Sequence, residues 1–261
     1  MEWKFERLAT RWWFFVFIII LSFFLPHITS VPYNPQNSQD VLIEVLKKGL
    51  SDYHWIAPIF HLATIGLIFC LWKFPARMTR FLYIYLGVNF VVIALIDNIA
   101  NTANYGFTII LSNMVLFLFV AFVCFYAAFR DIRPLSAEPR RLWMLWAIPL
   151  VIIVFWGPAD SQGQPDFNPI LLMTSDFGLA FCFTIPVYIY ILSFYYQSIN
   201  KTLFRSMSVI GLFYGIINLF GPFSISGYPI WMAILHIPLF TISLYGLLLP
   251  RILKGNSLKT S

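Results

Sequence analysis

The sequence predicts an all-α integral membrane protein, a polytopic bundle of eight transmembrane helices with N- and C-termini cytoplasmic, and three observations predict it. Hydrophobic residues make up 60% of the chain and charged residues 11%, whereas soluble domains carry about 45–50% apolar and about 25% charged residues; mean hydropathy is +0.79. Apolar runs close to the roughly 20 residues that a bilayer requires recur between polar breaks. Lys and Arg collect in alternate breaks, as cytoplasmic loops require.

These runs place helices at about 12–28, 55–73, 81–100, 105–129, 142–157, 170–193, 202–220 and 228–249, within a single transmembrane domain covering 1–261. The first follows the basic stretch "MEWKFERLATR" and continues through "WWFFVFIIILSFFL" into "PHITSVPYNP", which lacks a small-x-small cleavage site. It is therefore expected to remain as an anchor. Aromatic clusters, "RWW" at the start of the first helix and "YHW" at the start of the second, sit where interfacial belts belong.

With the N-terminus inside, fifteen of the seventeen basic residues fall in cytoplasmic segments, Arg77, Arg80, Arg140, Arg141 and Lys259 among them, and only Lys47 and Lys48 fall outside. An odd number of helices breaks this alternation. The formal charge of +6 is thus an orientation signal, and no nucleic-acid partner is expected. The expected setting is the lipid bilayer of a prokaryotic cytoplasmic membrane.

Outside the membrane the longest segment contains "SQDVLIEVLKKGL". Ser38 is expected to cap an external helix over 38–50, with Val41, Leu42, Val45 and Leu46 forming an apolar stripe on the lipid interface. The loop "GPADSQGQPDFNP" reads as irregular external structure. "GLFYG", Gly211 to Gly215, is a GxxxG that brings helices close, within the chain or against a membrane protein partner. Cys70, Cys124 and Cys182 all fall in spans, form no CxxC pair and read as packing residues.

The functional signal is a carboxylate where lipid is expected. Asp176 lies in "ILLMTSDFGLAFCF", about 9 Å along the sixth helix at about 1.5 Å per residue. A charge at that depth costs several kcal/mol unless paired, protonated or solvated by a cavity. The third helix ends "IDNIANTANYG", where Asp97, Asn101 and Asn104 at i, i+4 and i+7 share one helix face. His61, Asn113 and His236 fall about 9–12 Å in on three further helices, and Asn218 lies near the outer end of the seventh. Polar residues from six helices thus converge on the outer half of the membrane.

The expected site is an outward-facing polar pocket formed by Asp97, Asn101, Asn104, Asn113, Asp176, Asn218, His61 and His236, binding or transporting a small solute or ion. His61, Asp97, Asp176 and His236 are also the ligand types that a divalent metal accepts, though without HxxxH or HExxH spacing. Two other classes stand beside this one. The stretch "LLMTSDFGLA" resembles the Ser-Asp stretch of the lysoplasmalogenases, a family of eight-helix membrane enzymes, over about ten residues. That resemblance implies an intramembrane lipid hydrolase; the pair of acids, able to divide general acid and base roles, and the metal-ligand types make it a metal- or carboxylate-dependent one. The third class is a structural subunit of a larger membrane complex.

Overall fold

Long apolar stretches, interrupted where proline, glycine and asparagine cluster, give the chain its order of elements. The structure, a computed structural model, describes residues 4–9, 11–130, 133–136, 142–224 and 229–257. The helices are α1 (Lys4–Ala9), α2 (Trp12–Phe23), α3 (Ser38–Tyr53), α4 (Ala57–Lys73), α5 (Pro75–Ile96), α6 (Leu111–Arg130), α7 (Ile148–Trp156), α8 (Leu171–Thr174), α9 (Phe181–Ser193), α10 (Lys201–Leu219), α11 (Gly221–Ser224) and α12 (Ile230–Ser257). The strands are β1 (His27–Thr29), β2 (Ile99–Thr102) and β3 (Gly106–Ile110).

The molecule is 74% helical, and among the described residues five helical runs are long and apolar enough to cross a membrane: Pro35–Lys73, Pro75–Ile96, Leu111–Arg130, Lys201–Phe223 and Ile230–Lys254. In the first of these the apolar stretch is α4. Three further apolar helices, Trp12–Phe23, Met144–Trp156 and Phe181–Ser193, are shorter. This is the make-up of a multi-pass membrane protein.

Local chemistry explains the helix ends. Proline occupies the first turn of α4, α5 and α7, where its missing N–H costs nothing. Asn200 caps α10 by accepting the Leu203 N–H at 2.9 Å. Gly157, at φ 56°, ends α7 in the left-handed conformation.

Two expected helices are broken. The third stops at Ile96, and residues 99–110, read as continuous helix on either side of a short break, form a hairpin instead. β3 is its centre, pairing antiparallel with β2 (Ile99↔Ile109) and with β1 (His27↔Ile110). The aromatic and β-branched run "FTII" suits a strand, and Gly106 at φ 63° makes the turn. Asn101 is therefore an exposed strand residue, and Asn104 sits in the turn, donating from Nδ2 to Glu44 Oε2 at 3.0 Å. They share no helix face with Asp97.

The sixth expected helix, 170–193, is divided. After the single turn of α8 the backbone leaves helical geometry at Ser175 (ψ 173°) and turns through Gly178 (φ 83°) before α9 begins. Asp176 thus lies in a turn, and the depth computed along a continuous helix does not apply to it. Non-helical backbone among membrane helices persists only where the protein satisfies it. Here the Gly178 N–H donates to Thr184 Oγ1 at 2.7 Å and the Gly178 carbonyl accepts from Asn89 Nδ2 at 2.6 Å.

The helix expected over 38–50 extends from Ser38 to Tyr53, and Asn37 precedes it as cap without a side-chain bond, so Ser38 does not cap it. Val41 and Val45 are fully buried against Ala100 and Ile110 of the sheet. This half of the stripe is a tertiary contact, while Leu42 and Leu46 are partly exposed. "GLFYG" likewise serves inside the chain: a Cβ on Gly211 would lie 2.4 Å from Ser243 Oγ, and one on Gly215 would lie 2.8 Å from Phe240 Cα. These contacts bring α10 against α12.

Successive long helices run in opposite directions. The sheet, α3 and the loop after Gly157 gather at one end, the sheet end. The opposite end holds Lys73, Arg77, Arg130, Lys201 and Arg251; Arg140, Arg141 and Lys259 lie outside the described residues.

Candidate functional site

A cavity of about 1420 Å³ opens at the sheet end. It lies between α3, the loop after Gly157, the turn at Asp176, and the sheet-end turns of α6, α9, α10 and α12. Of the residues expected to form a pocket, Asp97, Asn113, Asp176, Asn218 and His236 line it. Asn101 and Asn104 are drawn away by the hairpin. His61 lies behind the wall, fully buried.

Asp97 follows α5 directly and is 3% exposed. Its Oδ2 accepts the Phe181 N–H at 3.0 Å, so a side chain from one helix caps the first turn of another. Its Oδ1 is enclosed and has no hydrogen-bond partner among the described residues. Around it stand aromatic rings: Phe117 stacks on Phe181 at 4.2 Å between centroids, and Tyr214 lies 5.3 and 5.2 Å from them. The Tyr214 hydroxyl donates to Asn113 Oδ1 at 2.9 Å, and Asn218 Nδ2 donates to the Tyr214 carbonyl at 2.8 Å.

Asp176 faces His54, with Oδ1 3.5 Å from Nδ1 and both side chains partly exposed. The carboxylate beside it raises the His54 pKa above its ordinary value, against the opposing effect of burial. His236 is spent differently, its Nδ1 donating to the Met232 carbonyl at 2.6 Å.

His61 ties the wall together. Its Nδ1 meets the Ala57 carbonyl at 2.9 Å, which places a hydrogen on that nitrogen. Nε2 then stands 3.1 Å from Ser175 Oγ and 3.2 Å from the Phe155 carbonyl, while Ser175 Oγ lies 3.0 Å from the same carbonyl. The single hydroxyl hydrogen serves either the imidazole or the carbonyl. Among the described residues no three His, Cys, Asp or Glu side chains converge as metal ligands, and His61, Asp97, Asp176 and His236 do not form one set.

The turn bearing Asp176 is held from beneath by a buried polar chain. Asn89 donates to the Gly178 carbonyl and accepts from the Tyr188 hydroxyl at 2.7 Å. Tyr188 touches the Tyr85 hydroxyl at 3.4 Å, which pairs with Thr64 Oγ1 at 2.8 Å. Sequence reading missed Ser175, Tyr214 and the two tyrosines of this chain, because tyrosine and serine in a membrane helix carry no polarity signal comparable to Asp or His. Comparison of the chain with protein-family models, curated proteins and solved structures returned no match.

Proposed function

We propose that the chain crosses the bilayer eight times with both termini in the cytoplasm, and that the cavity at its sheet end opens outward to bind a small amphiphilic solute. The alternating helix directions and the basic residues at the end away from the sheet support this orientation. The binding reading rests on one observation, the cavity of about 1420 Å³. That volume exceeds the roughly 300–1,000 Å³ of common small-molecule sites. Its lining is apolar on α3 (Leu42, Leu46) and polar at Asp97, Asn113 and Asn218, which suits a solute with a polar head and an apolar body.

The test is thermal stability of the purified chain against a panel of amphiphiles. A ligand at a hundred times its Kd stabilises the folded state by about 2.7 kcal/mol. A saturable rise in Tm that disappears in Asn218→Trp, which sets a bulky ring among the polar lining residues, is expected. No rise with any compound, or one that survives Asn218→Trp, would overturn the reading.

A second reading, hydrolysis of a lipid ester, draws on the Ser175 to His61 contact of 3.1 Å at the cavity wall, since a serine hydroxyl beside an imidazole acceptor is the arrangement of an activated nucleophile. Ester turnover abolished by Ser175→Ala would favour it. The subunit reading loses its motif, because Gly211 and Gly215 pack within the chain.

A further inference from the structure

We propose that the solute is a cation, an amphiphilic amine or quaternary ammonium whose charge is seated between Asp97 and the rings of Phe117, Phe181 and Tyr214. This deepens the reading of the cavity as a solute site and rests on it.

The charge balance of the wall points that way. Asp97, Asp160, Asp166 and Asp176 border the cavity, against the single lysine Lys47 and no arginine among the described residues. Three of the four acids have employment elsewhere. Asp160 Oδ1 accepts the N–H groups of Gln162 and Gln164, each at 2.8 Å, and Asp166 Oδ1 accepts that of Asn168 at 3.0 Å, so both shape their own loop. Asp176 faces His54.

Asp97 is the exception. It is the most buried of the four, one oxygen is held by the Phe181 N–H, and the other has no partner among the described residues. No Lys, Arg or His side chain lies within ion-pair distance of it among the described residues. A carboxylate enclosed in this way needs a proton or a cation, and a ligand's ammonium group supplies the cation.

The surroundings select the kind of cation. Three aromatic rings border the cavity beside Asp97, and aromatic faces attract organic ammonium groups. Among the described residues no three His, Cys, Asp or Glu side chains gather to hold a metal ion, whereas an alkylammonium needs only one acceptor and gains from the rings. The apolar tail has Leu42, Leu46, Phe213 and Ile217 to lie against. An anionic amphiphile would face Asp97 and Asp176 with no arginine to receive it.

The experiment compares decylamine with its neutral analogue decanol on the full chain in phosphatidylcholine nanodiscs, each titrated by thermal shift. The wild-type chain should bind decylamine about tenfold or more tightly than decanol, the effect of one charge-assisted hydrogen bond. Asp97→Asn, which keeps an oxygen for the Phe181 N–H, should erase that advantage and leave decanol affinity within about twofold. Equal binding of the two compounds to wild type, or unchanged decylamine affinity in Asp97→Asn, overturns the cation and leaves the cavity standing. Binding of neither compound to wild type overturns both. Should Asp97→Asn fail to accumulate, the wild-type ratio decides alone.

Discussion

Removal of the Asn89 side chain should loosen the wall of the site from a distance. Asn89 is fully buried and makes two bonds of 2.6 and 2.7 Å, to the Gly178 carbonyl and from the Tyr188 hydroxyl. In Asn89→Ala both groups lose that partner in a place water does not reach. Each stranded buried group costs about 1–3 kcal/mol. Tyr188 keeps its 3.4 Å contact with Tyr85, so its share falls at the low end and the total is about 2–4 kcal/mol.

Side-chain hydrogen bonds in membranes average only about 0.6 kcal/mol where the unfolded reference finds other partners. The Gly178 carbonyl differs, because in the unfolded reference it is free to join a helix, and the deficit falls on the folded state. The assay is reversible unfolding in mixed micelles of mild detergent and dodecyl sulfate, with Tyr188→Phe and the double variant completing a cycle. A coupling of about 1 kcal/mol between the two positions is expected. A loss below about 0.5 kcal/mol for Asn89→Ala with no coupling would refute the reasoning.

Two further outcomes follow from the geometry. His54 has a raised pKa because Asp176 favours its charged form, so the pair's contribution to stability is complete below the ordinary imidazole pKa of 6.5 and fades as pH rises through the raised value. Tm should therefore fall on going from about pH 5.5 to about pH 8.5, and that fall should shrink in Asp176→Asn; an unchanged pH profile in the variant would break the link. Among glycines, Gly215→Ala should destabilise, since its Cβ would meet Phe240 backbone at 2.8 Å, while Gly66→Ala meets nothing within 4 Å and should be neutral or stabilising by up to about 1 kcal/mol. Unfolding of both variants in the same micelles checks this, and equal effects would contradict the packing of α10 on α12.

The long apolar helices were legible because hydropathy and length report them directly. The hairpin at 99–110 was not, since "FTII" is as apolar as the helices around it and hydropathy does not separate a short buried strand from a helix. That error carried Asn101 and Asn104 into the expected site. The turn at Asp176 was similarly hidden: its non-helical backbone depends on Asn89 and Thr184 supplying hydrogen bonds, and Asn89 lies 89 residues away from Gly178 in sequence. Asp97, Asn113, Asn218 and His236 could be placed near one another by depth, because chain alternation sets which end of the bundle each occupies; Asp176 lines the same cavity from a turn to which helical depth does not apply. His61 had the same depth but points into contacts with Phe155 and Ser175, and nothing in helical spacing distinguishes one face from the other when both neighbours are distant in sequence.

The outward opening of the cavity is the central claim, and Cys182 offers a direct probe of it. This cysteine borders the cavity beside Asn218, whose Nδ2 lies 3.7 Å from its Sγ, whereas Cys124 is buried in the core. Right-side-out and inside-out vesicles holding the chain would be treated with a membrane-impermeant, positively charged methanethiosulfonate and labelling at Cys182 read by mass spectrometry, with unfolded protein as the reference for full reaction. The account predicts labelling of Cys182 from the external face, slowed by decylamine, and protection from the cytoplasmic face. Labelling from the cytoplasmic face alone, or from neither while the unfolded chain reacts, would contradict it.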